Sequence, residues 1–314
     1  MNLSTPAGSP APTRFFTSYD GTRLAYHLSG EGHGERAGHE AGHEDRGGRA
    51  GRPVVCLPGG PMQDSAYLGD LGGLAAHRRL IRLDLRGTGA SALPDDPASY
   101  RCDRLVDDVE ALRTHLGPDR MDLLAHSAGA NPALLYAARH PRRVGRLALI
   151  TPSVTAVGLE VAGDVRRGTA RLRAGEPWFP EAYAALEAVV AGRGDSEAFK
   201  AIAPFWYGRW DETARTHRAA GERQRNDGAA AVFAAEGAFA PEETRAALAR
   251  LASPVFVLAG EVDLNSPPPA MTELSGLFPH ARLHVQQGAG HFPWLDDAEP
   301  FASTVGAFLG RDAE

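Results

Sequence analysis

The sequence predicts an α/β fold, with a mostly parallel central sheet, helices on both faces and a helical cap insertion. Three observations carry that expectation. Short apolar runs, "PVVCL", "RLIRLDL", "MDLLA" and "VGRLALI", alternate with helical stretches, and strands joined in this way need right-handed crossovers that cover a parallel sheet. The alternation breaks between about Ser153 and Arg245, where the pattern is helical, rich in Ala and Arg, and carries no convincing strand. It then resumes with "SPVFVLAG" and "ARLHVQQ". A chain of 314 residues with 43% hydrophobic content can bury a core of that size.

Residues 1–13, rich in Pro, Ser, Thr and Ala, read as a flexible tail. The core is then expected over 14–152 and 246–314, with the cap over 153–245. "RFFTSYDGTRLAYHLSG" reads as two strands around Asp20-Gly21, a favoured dipeptide of tight hairpin turns. The segment 30–52 has "AGHE" in tandem and no apolar periodicity, so a mobile insertion is expected. His33, His39 and His43 within it could meet a transition metal, but with nothing to fix a geometry a solvated loop is the preferred reading. Residues 101–116 form an amphipathic helix with Leu105, Val109, Leu112 and Leu116 on one face. Asp103 is its expected cap, Asp107 and Asp108 suit its positive N-terminal half, and Gly117-Pro118 ends it. Residues 128–140 form the next helix, stopped by Pro141, and 300–309 the last, with Phe301, Val305, Phe308 and Leu309 on one side.

A net charge of −6 gives no reason to expect nucleic acid or an anionic membrane as partner. No apolar run is long enough to span a bilayer, and the N-terminal stretch lacks the apolar centre of a signal peptide. Cys56 and Cys102 form no framework or metal pattern and read as free thiols of a cytoplasmic protein.

Chemistry enters at "LAHSAGANP", where a strand passes into a helix through Ser127. Small residues two before and two after it, Ala125 and Gly129, permit the sharp turn that lifts a serine hydroxyl above a sheet. A hydroxyl is a poor nucleophile at neutral pH, so it needs a base and an orienting acid. Asp263 follows the strand "VFVLAG" and His291 follows "RLHVQQ", giving the chain order serine, acid, histidine beyond the C-terminal ends of strands. Ser127 is then the nucleophile, His291 the proton carrier and Asp263 its orienter. The oxyanion donors are expected from the backbone of Ala128 and of Gly60, in the turn Pro58-Gly59-Gly60-Pro61.

These residues resemble the α/β-hydrolase superfamily from Arg14 onward, and Asp84-Leu85-Arg86-Gly87-Thr88-Gly89-Ala90-Ser91 is similar to its D-x-R-G-x-G-x-S loop. Within it, "PGGP" is most similar to the "HGGPG" of the proline iminopeptidase group, with Pro58 in place of His and Met62 in place of the last Gly. "AHSAG" departs from that group's "GGSWG". The resemblance implies hydrolysis of an ester or amide, with an aminopeptidase of that group as one form. An esterase, lactonase or thioesterase of secondary metabolism, and a non-catalytic ligand-binding protein of the same fold, are the alternatives. No metal or organic cofactor is implied, and the partner is a small-molecule or short-peptide substrate. Trp206, Trp210 and Trp294 are candidates to line an apolar pocket, or equally to pack the cap on the core. Asp211 in "GRWDET" and Glu236 in "AAEGAF" resemble, in local context, cap acids that hold a substrate's α-ammonium; solvated surface carboxylates are the alternative.

Overall fold

The computed structural model describes residues 12–30 and 52–310. Its centre is an eight-stranded sheet in the order β1-β2-β4-β3-β5-β6-β7-β8. β1 (Thr13–Thr17) and β2 (Arg23–Ser29) are antiparallel to each other, and β2 is antiparallel to β4 (Leu80–Leu83). From β4 onward, through β3 (Val54–Leu57), β5 (Met121–His126), β6 (Val144–Ile150), β7 (Val255–Gly260) and β8 (Ala281–Gln286), all neighbours are parallel. The α/β fold class expected from the sequence is the one observed.

Helices α1 (Cys102–Leu116) and α2 (Ala130–Arg139) follow β4 and β5. Between β6 and β7 the described chain has helices and no strand of the sheet: α3 (Gly163–Arg171), α4 (Phe179–Val190), α5 (Ser196–Ala201), α6 (Glu212–Arg223), α7 (Asp227–Phe233) and α8 (Pro241–Leu248). α9 (Pro268–Ser275) joins β7 to β8, and α10 (Pro293–Asp296) and α11 (Ala298–Gly310) close the fold.

Parallel strands are covered on both faces, and the pleat divides their side chains between two cores. Val55, Leu57, Leu123, Leu149 and Val257 join the core that includes residues of α1, α2 and α9. Cys56, Leu124, Ile150 and Leu258 pack instead with Trp294, Phe301 and Val305. α3, α4 and the segment Ala203–Trp206 gather a third cluster around Ala170, Leu186 and Phe205, joined by Leu264 from the loop after β7.

Two local expectations are corrected. Thr17 pairs with Arg23, so the hairpin connection spans residues 18–22 and is wider than a two-residue turn at Asp20-Gly21. Asp20 has other partners: it accepts from Thr22 N–H at 3.1 Å and from Arg86 at 2.7 Å. Asp103 does not cap α1, because its carboxylate forms a bidentate pair with Arg101 at 2.7 Å to each oxygen, and a two-point guanidinium contact outcompetes a single backbone N–H. Asp107 and Asp108 lie in the N-terminal half of α1 as expected, and Asp108 is fully buried there against Arg86.

Of the expected tail only Pro12 and Thr13 are described, and Thr13 already belongs to β1. The expected insertion, with His33, His39 and His43, lies outside the described residues apart from Gly30 and Arg52. Among the described residues no cluster of His, Cys, Asp and Glu could hold a metal ion, and no helix is long and apolar enough to cross a membrane. Cys56 and Cys102 are buried and unpaired.

The chain leaves β3 for β4 on one side, while β5 adds to its other side. That reversal opens a crevice beyond the C-terminal ends of β3 and β5.

Candidate active site

Ser127 stands in this crevice, at the step from β5 into α2. Its φ is +53°, a left-handed conformation costly for a residue with a Cβ, and packing around it must hold it there. Gly129 allows that packing: a Cβ there would lie 2.4 Å from Pro58 O and 2.5 Å from Leu57 O. Gly59 matches it from the facing turn, where a Cβ would lie 2.8 Å from the Ser127 Cβ. Ala125, where the elbow pattern has glycine, is buried in β5 between Leu57 and Leu149 and tolerates its methyl.

The residues expected from distant parts of the chain meet here. His291 Nδ1 lies 2.7 Å from Asp263 Oδ2, and His291 Nε2 lies 2.8 Å from Ser127 Oγ. A carboxylate only accepts, so Nδ1 carries the proton and Nε2 is left to accept from the Ser127 hydroxyl. Asp263 is fully buried, and its other oxygen accepts from Asn265 N–H at 2.8 Å. The His291 backbone is tied to the helical region through its N–H, which donates to Trp206 O at 2.7 Å. Asp296 reinforces that junction, accepting from Gly208 N–H and Gly290 N–H, each at 2.8 Å.

A second hydrogen-bonded chain runs behind the first. Gly59 N–H donates to the Tyr67 hydroxyl at 2.6 Å, and Tyr67 in turn lies 2.7 Å from His126 Nδ1. His126 Nε2 lies 2.8 Å from the carbonyl oxygen of His291, which also accepts from Thr151 Oγ1 at 2.9 Å. Because that carbonyl only accepts, His126 carries its proton on Nε2, and its Nδ1 accepts a hydrogen bond from the Tyr67 hydroxyl. Burial holds His126 well below the usual histidine range, and the neighbouring His291 adds to the effect, so the ring is neutral. Neither Gly60 N–H nor Ala128 N–H has a hydrogen-bond partner among the described residues.

Two cavities open on Ser127. One, of about 360 Å³, is lined by Tyr67, Trp206, Tyr207, His217 and Phe292 beside Gly60 and His291. The other, of about 490 Å³, is lined by Gly60, Ala128, Ser153, Arg166, Asn265 and His291. Trp206 therefore reaches a cavity, with the Arg218 guanidinium stacked 4.5 Å from its ring.

The remaining expected substrate residues stand elsewhere. Trp294 is buried in the core with its ring edge-on to His126 at 4.8 Å. Trp210 lines neither cavity and packs on Tyr207 at 5.5 Å. Asp211 caps α6, accepting from Ala214 N–H at 3.0 Å. Glu236 is exposed, and its backbone oxygen accepts from Arg101. Tyr67, His126, His217, Arg166 and Asp296 carried no motif in the sequence; the one available signal was the position of His126 beside Ser127.

The model of the alpha/beta hydrolase fold family matches residues 52–298. A proline iminopeptidase of Heyndrickxia coagulans is 26% identical over 276 residues, covering 85% of this chain and 92% of that protein. The crystal structure of proline iminopeptidase from Mycobacterium smegmatis superimposes with a TM-score of 0.69 at 24% identity, covering 95% and 97% of the two chains. That of the esterase RhEst1 from Rhodococcus sp. ECU1013 gives 0.66 at 25% identity, covering 95% and 98%. The chain belongs to the α/β-hydrolase family, as a serine hydrolase similar to the proline iminopeptidases.

Proposed function

We propose that this chain hydrolyses an ester through an acyl-enzyme on Ser127. The observation that carries the proposal is the unbroken sequence Asp263–His291–Ser127, with links of 2.7 and 2.8 Å, ending on a serine shared by two cavities. His291 Nε2 takes the Ser127 proton as Oγ bonds to the substrate carbonyl carbon, and the carbonyl π pair moves to oxygen. The N–H groups of Gly60 and Ala128 stabilise that oxyanion. Its collapse breaks the bond to the leaving alcohol, which receives the proton from His291. Water then attacks the acyl-enzyme by the same proton route and releases the acid. These steps need neither a metal nor an organic cofactor.

The helices between β6 and β7 act in this scheme as a cap, presenting Trp206, Tyr207 and His217 to the smaller cavity. Ester is preferred to a peptide with a free N-terminus because of the acids near Ser127. Glu222 and Asp227 line the smaller cavity but pair with Arg218 and Arg225, each at 3.1 Å. Glu160 stands exposed at the other cavity, and the cap acids Asp211 and Glu236 line neither. An α-ammonium would find no dedicated buried carboxylate among the described residues. The unpaired cysteines fit a cytoplasmic setting.

A fluorophosphonate should label the wild type and not Ser127→Ala. Nitrophenyl esters should be cleaved in preference to aminoacyl-naphthylamides. Labelling absent from the wild type would instead leave a ligand-binding protein without turnover; naphthylamide cleavage above ester cleavage would restore the aminopeptidase.

A further inference from the structure

We infer that the cavity lined by Ala128 is an anionic subsite, in which Arg166 binds a carboxylate at the far end of the substrate's acyl chain. This rests on the serine-ester proposal above and adds a substrate class to it.

Arg166 projects from α3, and its guanidinium is held only by neutral acceptors. Nη1 donates to Leu264 O at 3.2 Å and Asn265 Oδ1 at 3.3 Å, and Nε donates to Val161 O at 3.4 Å. Nη2 has no partner among the described residues, and no described carboxylate lies within 4.0 Å of the group. Other arginines of the helical region differ: Arg167 pairs with Glu187 at 2.9 Å, Arg173 with Glu176 at 3.0 Å and Arg218 with Glu222 at 3.1 Å.

Arg166 is also half-buried, and burial lowers its pKa while Asp263 works in the opposite sense. A partly desolvated cation with no carboxylate at ion-pair distance is costly to keep, and an arriving carboxylate offsets that cost. A guanidinium fork with a vacant Nη2 suits a carboxylate, whose two oxygens can each accept. The same cavity contains Ser127 and the candidate oxyanion donors, so an anion on Arg166 and the scissile carbonyl can belong to one acyl chain. Ser153 and Thr155 add hydroxyl groups to the wall. Glu160 is exposed at its edge and forms no ion pair with Arg166. The smaller cavity is chemically different: its arginines are already neutralised by Glu222 and Asp227, and its rings suit an uncharged leaving group.

The competing role for Arg166 is a tether for the loop that follows Asp263. The two roles separate on substrate charge. Mono(4-nitrophenyl) glutarate and 4-nitrophenyl pentanoate have acyl chains of equal length and differ in the terminal carboxylate. In Arg166→Gln the ratio of kcat/KM, glutarate ester over pentanoate ester, should fall by about ten- to a hundredfold, the worth of a charged hydrogen bond. Arg166→Lys, which keeps the charge and loses the fork, should fall between it and the wild type. An equal loss on both esters would establish the tether and overturn the subsite. If the wild type cleaves neither ester and fluorophosphonate does not label Ser127, the hydrolase proposal fails by itself, and free glutarate then reads the subsite. Glutarate should raise the melting temperature of the wild type and not that of Arg166→Gln; no shift in the wild type would overturn the inference.

Discussion

Removing one oxygen atom, by Tyr67→Phe, tests the second hydrogen-bonded chain behind the site. The ring keeps its packing, so no cavity forms and the transfer cost is small. Two polar groups lose their partner at once: Gly59 N–H, 2.6 Å from the hydroxyl, and His126 Nδ1, 2.7 Å from it. Tyr67 and His126 are both buried, so bulk water does not replace the lost bonds. An unsatisfied buried donor or acceptor costs about 1–3 kcal/mol, so the pair together should cost about 2–6 kcal/mol of stability, measured by urea unfolding. Turnover should fall as well, because Gly59 fixes the peptide that precedes the Gly60 donor. That donor acts on charge present only in the transition state, so kcat should drop by about tenfold while KM stays nearly constant. In a double-mutant cycle with His126→Phe the two substitutions should couple by about 1 kcal/mol or more. A stability change below about 0.5 kcal/mol together with wild-type kcat would refute the chain as a positioning device.

Ser127→Ala and His291→Ala should each lower kcat by about three orders of magnitude or more, and the double variant should be little worse than either, since the residues act as a unit; additive losses in steady-state ester assays would reject the triad. Asp263→Asn should keep a wild-type melting curve and still impair turnover severely, because the His291 proton would sit on the wrong nitrogen. Glu236→Gln should leave kcat/KM unchanged on esters and on free-amine substrates alike, and Asp211→Ala should cost only its helix cap, about 1 kcal/mol in chemical unfolding; a loss confined to free-amine substrates in either variant would return these acids to the site. Stability should decline as pH falls below about 6.5, because burial depresses His126 and His217 in the folded state while the unfolded chain takes up their protons. Each contributes at most about 1.4 kcal/mol per pH unit, and above about 6.5, where both forms are neutral, neither contributes. Unfolding midpoints independent of pH between 7 and 5.5 would contradict the buried neutral rings.

The parts of this molecule legible in the sequence are those set by local pattern. β6 falls where "VGRLALI" places it, because a strand buried on both faces needs a continuous apolar run. Gly117 ends α1 in the left-handed conformation that its position demanded. Ser127, Asp263 and His291 could be found together because each follows a strand, and the strands' common direction brings their ends to one edge. The acids of the helical region, Asp211 and Glu236, were not legible in this way. Asp211 stands three residues before Ala214, and that spacing serves an N-cap whatever else surrounds it. Aromatic content shows that Trp294 is apolar without showing which surface covers it, and the core claimed it. Tyr67 and His126 are 59 positions apart and meet only because β3 lies beside β5.

The loop Asp84–Ser91 shows how a family pattern acts without touching substrate. Burial alone would raise the Asp84 carboxyl, but hydrogen bonds from His27, from Ser65 and from Ala90 N–H outweigh it and lower the pKa. Gly89 is needed there, since a Cβ would lie 2.3 Å from Asp84 Oδ2. Ser91 ties the loop to β2, donating to Asp84 O at 2.7 Å and accepting from Ala25 N–H at 2.8 Å. Arg86 completes it, fully buried between Asp108 and Asp20. The consequence for the site passes through Ser65. Its N–H donates to Asp84 Oδ1 at 3.2 Å, and it begins the 3₁₀ turn Ser65–Leu68. That turn presents Tyr67 to Gly59 N–H, one residue before the candidate oxyanion donor. Asp84 thus fixes the turn at one remove from the chemistry, through groups that local sequence leaves unconnected. An Asp84→Asn substitution keeps the shape and loses the charge, and it would weaken the Tyr67 anchor and the link to His27 of β2 together.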